Sequence, residues 1–529
     1  MTLLAAVDDF LEEGMLLSPE VVSSSFDSKA MLEGVKSFHD GQGPSVLNQD
    51  IMQMIEKKLI QVDWIELDKM KVVFERSGKR EPYNRFLESV FGSESAVKIE
   101  ELKKEIKTIE TVSGVKILKA FEAEQKKIEL KDFVNVFKSR YDTLRKMLQV
   151  RAELQNVSSI TRLSRSTEKE VSVIGLVYDK TITKNGNVLL HLEDATGHIR
   201  GLINKSSTDL FKLAETICLD EVIGVVGTLR DNFLFVKTVL FPEIFNSNEK
   251  RCDEEIYAAF ISDIHVGSTM FLENEFRKFI RWLNGQEGDE LQKKIGLSVR
   301  YLFIVGDLVD GIGVFPNQEK YLKILDIREQ YNAVAGLLKE IRPDIKIIIC
   351  PGQHDSIRVA EPQPALDKDF AEALWNLPHV QLVSNPALVN VHSKPGFEGY
   401  NVLMYHGASF HYYIDSIPLL RANNARDNPS CVLKLLLQKR HLAPAYSSTI
   451  YVPTNHEDAL VISQAPDVFV CGDMHRSDVS HYNGVLTVNC SCWQSKTDFQ
   501  EKTGNNPDPC KVPLLNFKTK QITVVSFDS

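Results

Sequence analysis

Five short apolar runs recur through the second half of the chain, and each ends at polar residues. The runs are rich in β-branched side chains and too short for helices, so they predict buried strands. They span residues 259–261, 301–305, 347–350, 402–405 and 468–471. Helical periodicity over 273–282, 321–340 and 367–375 separates several of these runs. This alternation predicts a layered α/β domain over residues 249–529.

A different pattern precedes this domain. Between residues 166 and 248, short apolar stretches alternate with turn residues and indicate three strands, a short helix and two more strands. That order is typical of an all-β OB-fold domain. The strands carry few aromatic side chains beside basic ones, the combination on which single-stranded nucleic acid stacks. The sequence therefore slightly favours a docking or scaffold role for the barrel, and direct DNA binding stays open.

The first part of the chain carries apolar residues at helical spacing. Residues 1–75 show three such stripes and predict a small helical N-terminal domain. Residues 76–165 are rich in Lys and Glu and indicate a charged linker. Inside the linker, the spacing of apolar residues predicts a helix over 133–148. Two interpretations of this helix stay open: it packs on its own chain, or it docks on a partner through Phe137 and Tyr141.

Length, composition and charge exclude few classes of protein. A chain of 529 residues has room for roughly two to four domains. No apolar stretch approaches the roughly 20 residues that span a bilayer, and the first residues do not resemble a signal peptide. Eight cysteines without a C-x-x-C pair predict reduced, buried thiols, so we expect a cytoplasmic protein. The net charge of −10 argues against nucleic-acid binding over the whole surface and leaves a local basic groove open.

The residues that follow the five apolar runs are ligand types for a two-metal phosphoesterase centre. They form the motifs D-x-H, G-D-x-x-D, G-Q-H-D, H-G and G-D-x-H. Sites in open α/β sheets form at the carboxyl ends of strands, so we expect these side chains to converge. Mixed carboxylate, imidazole and amide ligands suit Mn²⁺, Fe²⁺ or Zn²⁺ better than Ca²⁺ or Mg²⁺. The predicted metal ligands are Asp263, His265, Asp307, Gln353, His406, Asp473 and His475.

Strand geometry and carboxylate chemistry suggest roles for some of these residues. Asp263 and His265 are two positions apart at a strand end, so both can point to one face and hold one ion. Asp307 is placed to bridge two ions with its two oxygens. Ions about 3.5–4 Å apart can clamp a phosphate and activate water. The catalytic candidates are His354, which can donate a proton to the leaving oxygen, and Asp355, which can fix its orientation.

One predicted ligand has rivals nearby in the sequence. His392 and His411 lie on either side of His406. His406 is preferred because it directly follows the apolar run 402–405 and precedes a glycine.

The order and spacing of the motifs resemble the calcineurin-like metallophosphoesterases, which share D-x-H, G-D-x-x-D, G-N-H-D, H-G and G-H-x-H. The resemblance covers about half of the chain. It implies that His354 acts on the phosphate. The ligands implied for one ion are Asp263, His265, Asp307 and His475. Those implied for the other ion are Asp307, Gln353, His406 and Asp473.

Two positions depart from the pattern of that family. Gln353 stands where the family usually has Asn, and Asp473 stands where it usually has the first His of the pair. Both side chains can still ligate through oxygen. The second site becomes harder and more anionic, which favours Mn²⁺ or Mg²⁺ over Zn²⁺.

Other segments resemble a narrower family, the small subunits of archaeal family-D DNA polymerases. The resemblance lies in residues 435–446, 457–462 and 465–469 and in the order of the domains. It implies a proofreading 3′–5′ exonuclease for single-stranded DNA ends, with two divalent ions, Mn²⁺ first and Mg²⁺ or Fe²⁺ as alternatives. It also implies a heterodimer with a large catalytic polymerase subunit, away from membranes. Arg440 and His441 in the first segment are candidate contacts to nucleic acid.

Two other functions remain open at this point. The chain can be a non-catalytic scaffold subunit whose site has decayed through Gln353 and Asp473. It can also be a phosphatase for a small molecule or a phosphoprotein, although the barrel and the segment around Arg440 argue against that.

Overall fold

The structure, a computed structural model, describes residues 16–17, 46–47, 114–122, 127–154, 156–163, 170–246, 250–454 and 457–528. The chain divides into two compact units, Met1–Val112 and Ser113–Ser529. In the first unit, β1 (Leu16–Leu17) pairs in parallel with β2 (Val46–Leu47), so these two short segments of the predicted helical domain are strands. The rest of the helical domain predicted for residues 1–75 lies outside the described residues.

The second unit begins with one strand and two helices that lead into a closed β-barrel. The leading elements are β3 (Val115–Lys119), α1 (Leu130–Gln149) and α2 (Ile160–Leu163). The barrel elements are β4 (Val171–Ile182), β5 (Val188–Asp194), β6 (Gly197–Ile203), α3 (Thr208–Glu215), β7 (Val222–Arg230) and β8 (Phe233–Leu240). The strands are joined in the order β4-β5-β6-β8-β7. Three strands, a helix and two strands follow one another as the sequence predicts.

Helix α1 packs on its own chain. Its buried stripe includes Val136, Leu144 and Leu148. The hydroxyl of Tyr141 donates a hydrogen bond to the carbonyl oxygen of Ile174 in the barrel, at 3.0 Å. Phe137 is partly buried against the same apolar cluster. The helix face that carries Phe137 and Tyr141 is therefore used inside the chain, as the first of the two interpretations expects.

The remainder of the second unit is a layered α/β domain with two six-stranded sheets. The first sheet has the strand order β12-β11-β10-β9-β18-β19, and the second has the order β16-β17-β15-β14-β13-β3. The elements up to β12 are β9 (Tyr257–Ile261), α4 (Glu273–Leu283), α5 (Glu290–Ser298), β10 (Val299–Val305), α6 (Ile327–Lys339), β11 (Lys346–Cys350), α7 (Lys368–Trp375) and β12 (Val380–Leu382). The later elements are β13 (Ala387–Val391), β14 (Tyr400–Tyr405), α8 (Phe410–Ser416), α9 (Pro418–Ala422), α10 (Ser430–Lys439), β15 (Val468–Cys471), β16 (Asp478–Tyr482), β17 (Val485–Asn489), α11 (Asp498–Thr503), β18 (Lys511–Asn516) and β19 (Ile522–Ser526). Short 3₁₀ helices cover Gln318–Tyr321 and Tyr446–Ser448.

The two sheets share an apolar core. Phe260 and Phe303 of the first sheet belong to the same buried cluster as Met404 and Val470 of the second. Strands β9, β10, β11 and β12 run parallel to one another, as do β14, β15 and β17. The strand ends that precede the five motifs therefore meet along one edge of the paired sheets.

Strand β3 corrects the predicted division of the chain. The sequence pattern indicated a charged linker over residues 76–165, but β3 pairs antiparallel with β13 and forms an edge of the second sheet. The α/β domain therefore includes a strand that precedes the barrel in the sequence, and it is not confined to residues 249–529.

Two buried ion pairs join the barrel and helix α1 to the α/β domain. The Arg140 guanidinium donates to Asp458 Oδ2 at 2.6 Å and to the carbonyl oxygens of Pro444 and Asp220. Lys439 Nζ donates to Glu221 Oε2 at 2.5 Å, and both side chains are buried. A buried charge is costly unless it is paired and hydrogen-bonded, so these contacts fix how the parts pack.

The structure also bears on the cysteines and on membrane crossing. All eight cysteines are free, and seven of them are buried, in agreement with the predicted thiols. Within the described ranges, no helix has both the length and the apolar character to cross a membrane.

Candidate metal centre

Tight turns place the predicted ligands at the ends of their strands. Five of these residues adopt left-handed backbone conformations, in which φ is positive. Such a conformation costs a non-glycine residue about 1–2 kcal/mol, so the surrounding packing must impose it. The five φ angles are 51° for Asp263, 54° for His265, 51° for Asp307, 66° for Asp473 and 54° for His475.

Two glycines allow the loops of the site to touch. A Cβ atom on Gly352 would lie 2.2 Å from Asp307 Oδ1, and one on Gly306 would lie 2.3 Å from His406 Nδ1. Neither position has room for a side chain. The glycines of the G-D-x-x-D and G-Q-H-D motifs therefore allow one ligand loop to pack closely against another, because they have no side chain.

The first cluster of donor atoms comes from the D-x-H and G-D-x-H motifs. The Nε2 atoms of His265 and His475 are 3.3 Å apart. Asp263 Oδ1 lies 3.3 Å from His475 Nε2 and 3.9 Å from His265 Nε2. All three side chains are buried, and Asp263 Oδ1 has no hydrogen-bond partner among the described residues. Buried nitrogen and oxygen atoms that converge without hydrogen bonds to satisfy them are typical of a cation-binding site.

Asp310 orients this cluster and was not predicted to belong to the site. Its Oδ1 lies 3.3 Å from His265 Nδ1. Gln318 donates to its Oδ2 at 2.9 Å, and Gln494 donates to its Oδ1 at 3.1 Å. A carboxylate beside the far nitrogen of a ligand imidazole fixes the ring and its tautomer. The sequence could have indicated Asp310 as a residue of the site, because it is the second Asp of G-D-x-x-D, three positions after Asp307.

The second cluster comes from the G-D-x-x-D, H-G, G-D-x-H and G-Q-H-D motifs. His406 Nδ1 donates to the carbonyl oxygen of Val305 at 2.8 Å, which directs Nε2 into the site. That Nε2 atom lies 3.2 Å from Asp307 Oδ2 and 3.9 Å from Asp473 Oδ1. The Gln353 amide nitrogen donates to Asp473 Oδ1 at 3.1 Å. The four residues that the sequence assigns to a second ion are therefore neighbours.

Asp307 lies between the two clusters, but its geometry differs from the expectation. Its Oδ1 accepts a hydrogen bond from the backbone N–H of His354 at 2.8 Å. Its Oδ2 faces both clusters, 3.2 Å from His406 Nε2 and 4.0 Å from His265 Nε2. Only Oδ2 faces both clusters, and the expectation of one oxygen for each ion is corrected.

His354 is held by a different group from the one predicted. Its Nδ1 lies 2.8 Å from the carbonyl oxygen of Asp310, to which it can donate. Asp355 instead accepts hydrogen bonds from the Gly352 N–H at 2.8 Å and from the Tyr331 hydroxyl at 3.2 Å. Burial, and then the charge of Asp307, raises the pKa of Asp355 to about 6. Asp355 therefore braces the loop, and the prediction that it orients His354 is corrected.

Neighbouring imidazole and carboxylate groups of the site shift each other's pKa values. Burial alone would raise the pKa of the Asp307 carboxyl, but the charges of His406 and His354 hold it well below its usual range. Burial alone would lower the pKa of His406, but the Asp307 carboxylate raises it well above its usual range. In each case the opposite charge outweighs desolvation. A divalent cation favours the same carboxylates, and its binding would displace the imidazole protons.

The donor set fits divalent metal ions. Among the described residues, three groups of side chains have ligand atoms close enough to share an ion. One group holds three ligands predicted for the first ion, Asp263, His265 and His475, and another combines ligands predicted for both ions, Asp263, Asp307 and His406. The third group consists of His265, Asp310 and His354. Asp263 Oδ1, His406 Nε2 and Asp473 Oδ2 are buried and lack hydrogen-bond partners among the described residues. Unsatisfied buried polar atoms are costly, so their convergence indicates a cation-binding site.

Arg440 and His441 do not lie on a nucleic-acid surface. Arg440 is buried and donates to the carbonyl oxygens of Ile462 and Ser463, at 2.7 and 2.8 Å. His441 is buried, with Nε2 2.9 Å from Asp458 Oδ2. Because these contacts occupy their donor groups inside the protein, the predicted contacts to nucleic acid are corrected.

The two rivals of His406 have separate locations. His392 Nδ1 lies 3.2 Å from the Tyr301 hydroxyl, and its Nε2 lies 3.4 Å from Glu254. His411 Nε2 lies 3.4 Å from Asp473 Oδ2, at the margin of the second cluster. Neither replaces His406, whose Nε2 faces Asp307.

The matching family model and the named relatives are subunits of DNA polymerases. A family model that describes the B subunits of DNA polymerases alpha and epsilon matches residues 258–480. A Methanothermobacter thermautotrophicus protein named DNA polymerase II small subunit is 40% identical over 388 residues, 73% of this chain and 78% of its own. A protein of the same name from Methanocaldococcus jannaschii is 38% identical over 73% of this chain and 64% of its own. A solved archaeal phosphodiesterase is 14% identical, covering 51% of this chain and 99% of its own, with a TM-score of 0.26.

Proposed function

Because the chain belongs to the family of archaeal DNA polymerase II small subunits, we propose that it carries a working nuclease. The proposed reaction is metal-dependent hydrolysis of phosphodiester bonds at the 3′ ends of single-stranded DNA. The observation that carries the proposal is the position of Asp307 Oδ2, which faces His406 Nε2 at 3.2 Å and His265 Nε2 at 4.0 Å. A carboxylate oxygen that faces both ligand clusters could hold two ions close together, as two-ion hydrolysis of a phosphodiester needs.

Two divalent ions are the proposed cofactors. Asp263, His265 and His475 would hold one, Asp473, Gln353 and His406 the other, and Asp307 would contact both. Carboxylate and imidazole together favour Mn²⁺, with Fe²⁺ or Mg²⁺ as alternatives. When bound, such ions supply Lewis acidity and lower the pKa of a water molecule.

His354 is the proposed proton donor to the leaving oxygen. Donation from Nδ1 to the Asp310 carbonyl oxygen, 2.8 Å away, leaves Nε2 as the atom that can exchange a proton with the substrate. The ring packs edge-on against His265, with ring centroids 4.7 Å apart. This contact holds the imidazole beside the phosphate that the ions would bind. His354 therefore acts without holding metal itself.

The proposed setting of this reaction is a two-subunit DNA polymerase. Relatives named as small subunits imply a large catalytic partner. We propose that the barrel is an OB-fold domain that helps to assemble the two subunits, and that the α/β domain is a calcineurin-like phosphoesterase. Helix α1 uses Phe137 and Tyr141 internally, so any docking through it would use its first two turns, where Leu130 is 81% and Val134 58% exposed.

A non-catalytic scaffold is the second candidate, and one contact favours it. The Gln353 amide nitrogen donates to Asp473 Oδ1 at 3.1 Å. A stable bond between these two residues would occupy the Gln353 amide nitrogen and Asp473 Oδ1 without an ion. In that case the second ion would be absent and the chain would only hold the polymerase together.

The test combines metal counting with a nuclease assay on the full chain, alone and with its large subunit. We expect two bound Mn²⁺ ions per chain and shortening of single-stranded DNA labelled at the 5′ end. His354→Ala should slow cleavage by about 10²–10⁴-fold and leave metal content unchanged, because the imidazole acts on the proton. His481→Ala changes an exposed histidine on β16 and serves as the matched control. Fewer than two ions, with no cleavage in either form, would favour the scaffold.

A further inference from the structure

His411 is an imidazole that the predicted ligand set leaves out. It lies in the first turn of α8, five residues after His406. Its side chain is 41% exposed, and its Nε2 lies 3.4 Å from Asp473 Oδ2. The ring therefore stands at the open side of the second cluster.

The contact between His411 and Asp473 lacks hydrogen-bond geometry. Asp473 Oδ2 is buried and has no hydrogen-bond partner among the described residues, although an imidazole nitrogen is 3.4 Å away. A nitrogen and an oxygen at this distance that do not bond to each other can both face a third atom. The atoms are thus placed as two ligands of one ion.

The same arrangement occurs twice more in the metal centre. His406 Nε2 lies 3.2 Å from Asp307 Oδ2, and His475 Nε2 lies 3.3 Å from Asp263 Oδ1. In each pair at least one of the two atoms lacks a hydrogen-bond partner within the described part of the chain. The pair of His411 and Asp473 repeats this geometry at the margin of the second cluster.

The fold fixes the backbone that carries His411. The preceding residue, Phe410, is fully buried, and Ser409 Oγ donates to the Leu442 carbonyl oxygen at 2.7 Å. A Cβ atom on Gly407 would lie 3.0 Å from Asp473 Cβ, so the loop before α8 packs directly on Asp473. The proximity of the two side chains therefore follows from how the loop packs.

We propose that His411 is a ligand of the second metal ion, beside Asp307, Gln353, His406 and Asp473. This inference rests on the proposed two-ion function and extends its ligand set. With His411, the second ion would have two imidazole ligands. Mg²⁺ prefers oxygen ligands, whereas Mn²⁺, Fe²⁺ and Zn²⁺ accept nitrogen, so His411 would select against Mg²⁺.

The test measures Mn²⁺ binding to the full chain after chelator treatment, by calorimetric titration with the metal alone. The wild-type chain should bind two ions. His411→Ala should lower the Mn²⁺ affinity of the second site by about 10–100-fold or more and leave that of the first site unchanged. Loss of a residue that only supports a metal ligand already lowers affinity by about 10–100-fold. His406→Ala should weaken the same site, and His481→Ala should weaken neither. Circular dichroism checks that each variant is folded.

A substitution to oxygen adds a readout that a structural role for His411 would not affect. His411→Asp should keep two sites and shift the second toward Mg²⁺, because it replaces nitrogen by carboxylate oxygen. Two Mn²⁺ sites of wild-type affinity in His411→Ala, with unchanged Mg²⁺ preference in His411→Asp, would overturn the inference and leave the nuclease proposal intact. A wild-type chain that binds fewer than two ions would overturn both.

Discussion

Replacement of Arg140 should destabilise the second unit more than any exposed change on the same helix. Arg140 is 2% exposed. Its guanidinium donates to Asp458 Oδ2 at 2.6 Å, to Pro444 O at 2.7 Å and to Asp220 O at 3.1 Å. It therefore links helix α1 to the barrel and to the α/β domain at one point. Arg140→Met keeps the length of the side chain and removes all three bonds.

The size of the loss follows from what remains around Asp458. Removing one member of a buried ion pair costs about 3–5 kcal/mol, because the other charge stays buried. His441 Nε2 and the Tyr451 hydroxyl remain 2.9 and 3.3 Å from the Asp458 carboxylate and partly compensate. We therefore expect a loss of roughly 3 kcal/mol in the free energy of unfolding, at the lower end of that range.

Urea denaturation of the full chain measures this loss, and a second arginine provides the control. Arg145 lies on the exposed side of α1, so Arg145→Met should change stability by no more than about 0.5 kcal/mol. Arg140→Met combined with Asp458→Asn should recover part of the loss, because the buried negative charge is removed as well. Equal unfolding midpoints for Arg140→Met and Arg145→Met would refute the reasoning.

Three further predictions concern the metal centre, helix α1 and pH. Asp307→Ala should remove most bound metal, whereas Asp263→Ala should deplete mainly one site; full occupancy in Asp307→Ala, measured by elemental analysis, would contradict the bridge. Phe137→Ala and Tyr141→Ala should lower the melting temperature and leave co-purification with the large subunit intact, since both side chains pack internally; lost assembly of a folded chain would show the opposite. Burial, then the Arg140 charge, lowers the pKa of His441 to about 4. Between about pH 6.5 and pH 4, His441 gains a proton in the unfolded chain but not in the folded one. The free energy of unfolding should therefore fall by up to roughly 3 kcal/mol as the pH is lowered through this range. His441→Gln should flatten that part of the stability curve, and an unchanged slope would contradict it.

The sequence predicts the ligand strands well because their signals are local. Each apolar run is followed within a few residues by its ligands, so the strand and the site residues are found together. The run 468–471 matches β15 residue for residue. The barrel order follows in the same way, since β5 begins at Val188, where an apolar stretch of the sequence begins.

The errors concern contacts between distant parts of the chain. Asp355 is next to His354 in sequence, but the group that contacts the His354 ring nitrogen is the carbonyl oxygen of Asp310, from another loop. Arg440 and His441 have the composition of a basic surface, yet carbonyl oxygens and Asp458 satisfy them in the interior. Local patterns cannot show which remote acceptor compensates a buried cation.

The edge strand β3 has a consequence for how the chain can be divided. The polypeptide leaves the α/β domain after Lys119, forms α1 and the barrel, and re-enters the domain at β9. The barrel is therefore an insertion in the middle of a domain and is tethered to it at both ends. A fragment that starts near residue 250 would lack β3 and expose the backbone of β13, which pairs with Val115 to Lys119 in the intact chain. An unpaired strand edge invites association with other chains, so fragments of the α/β domain should retain residue 114 onward.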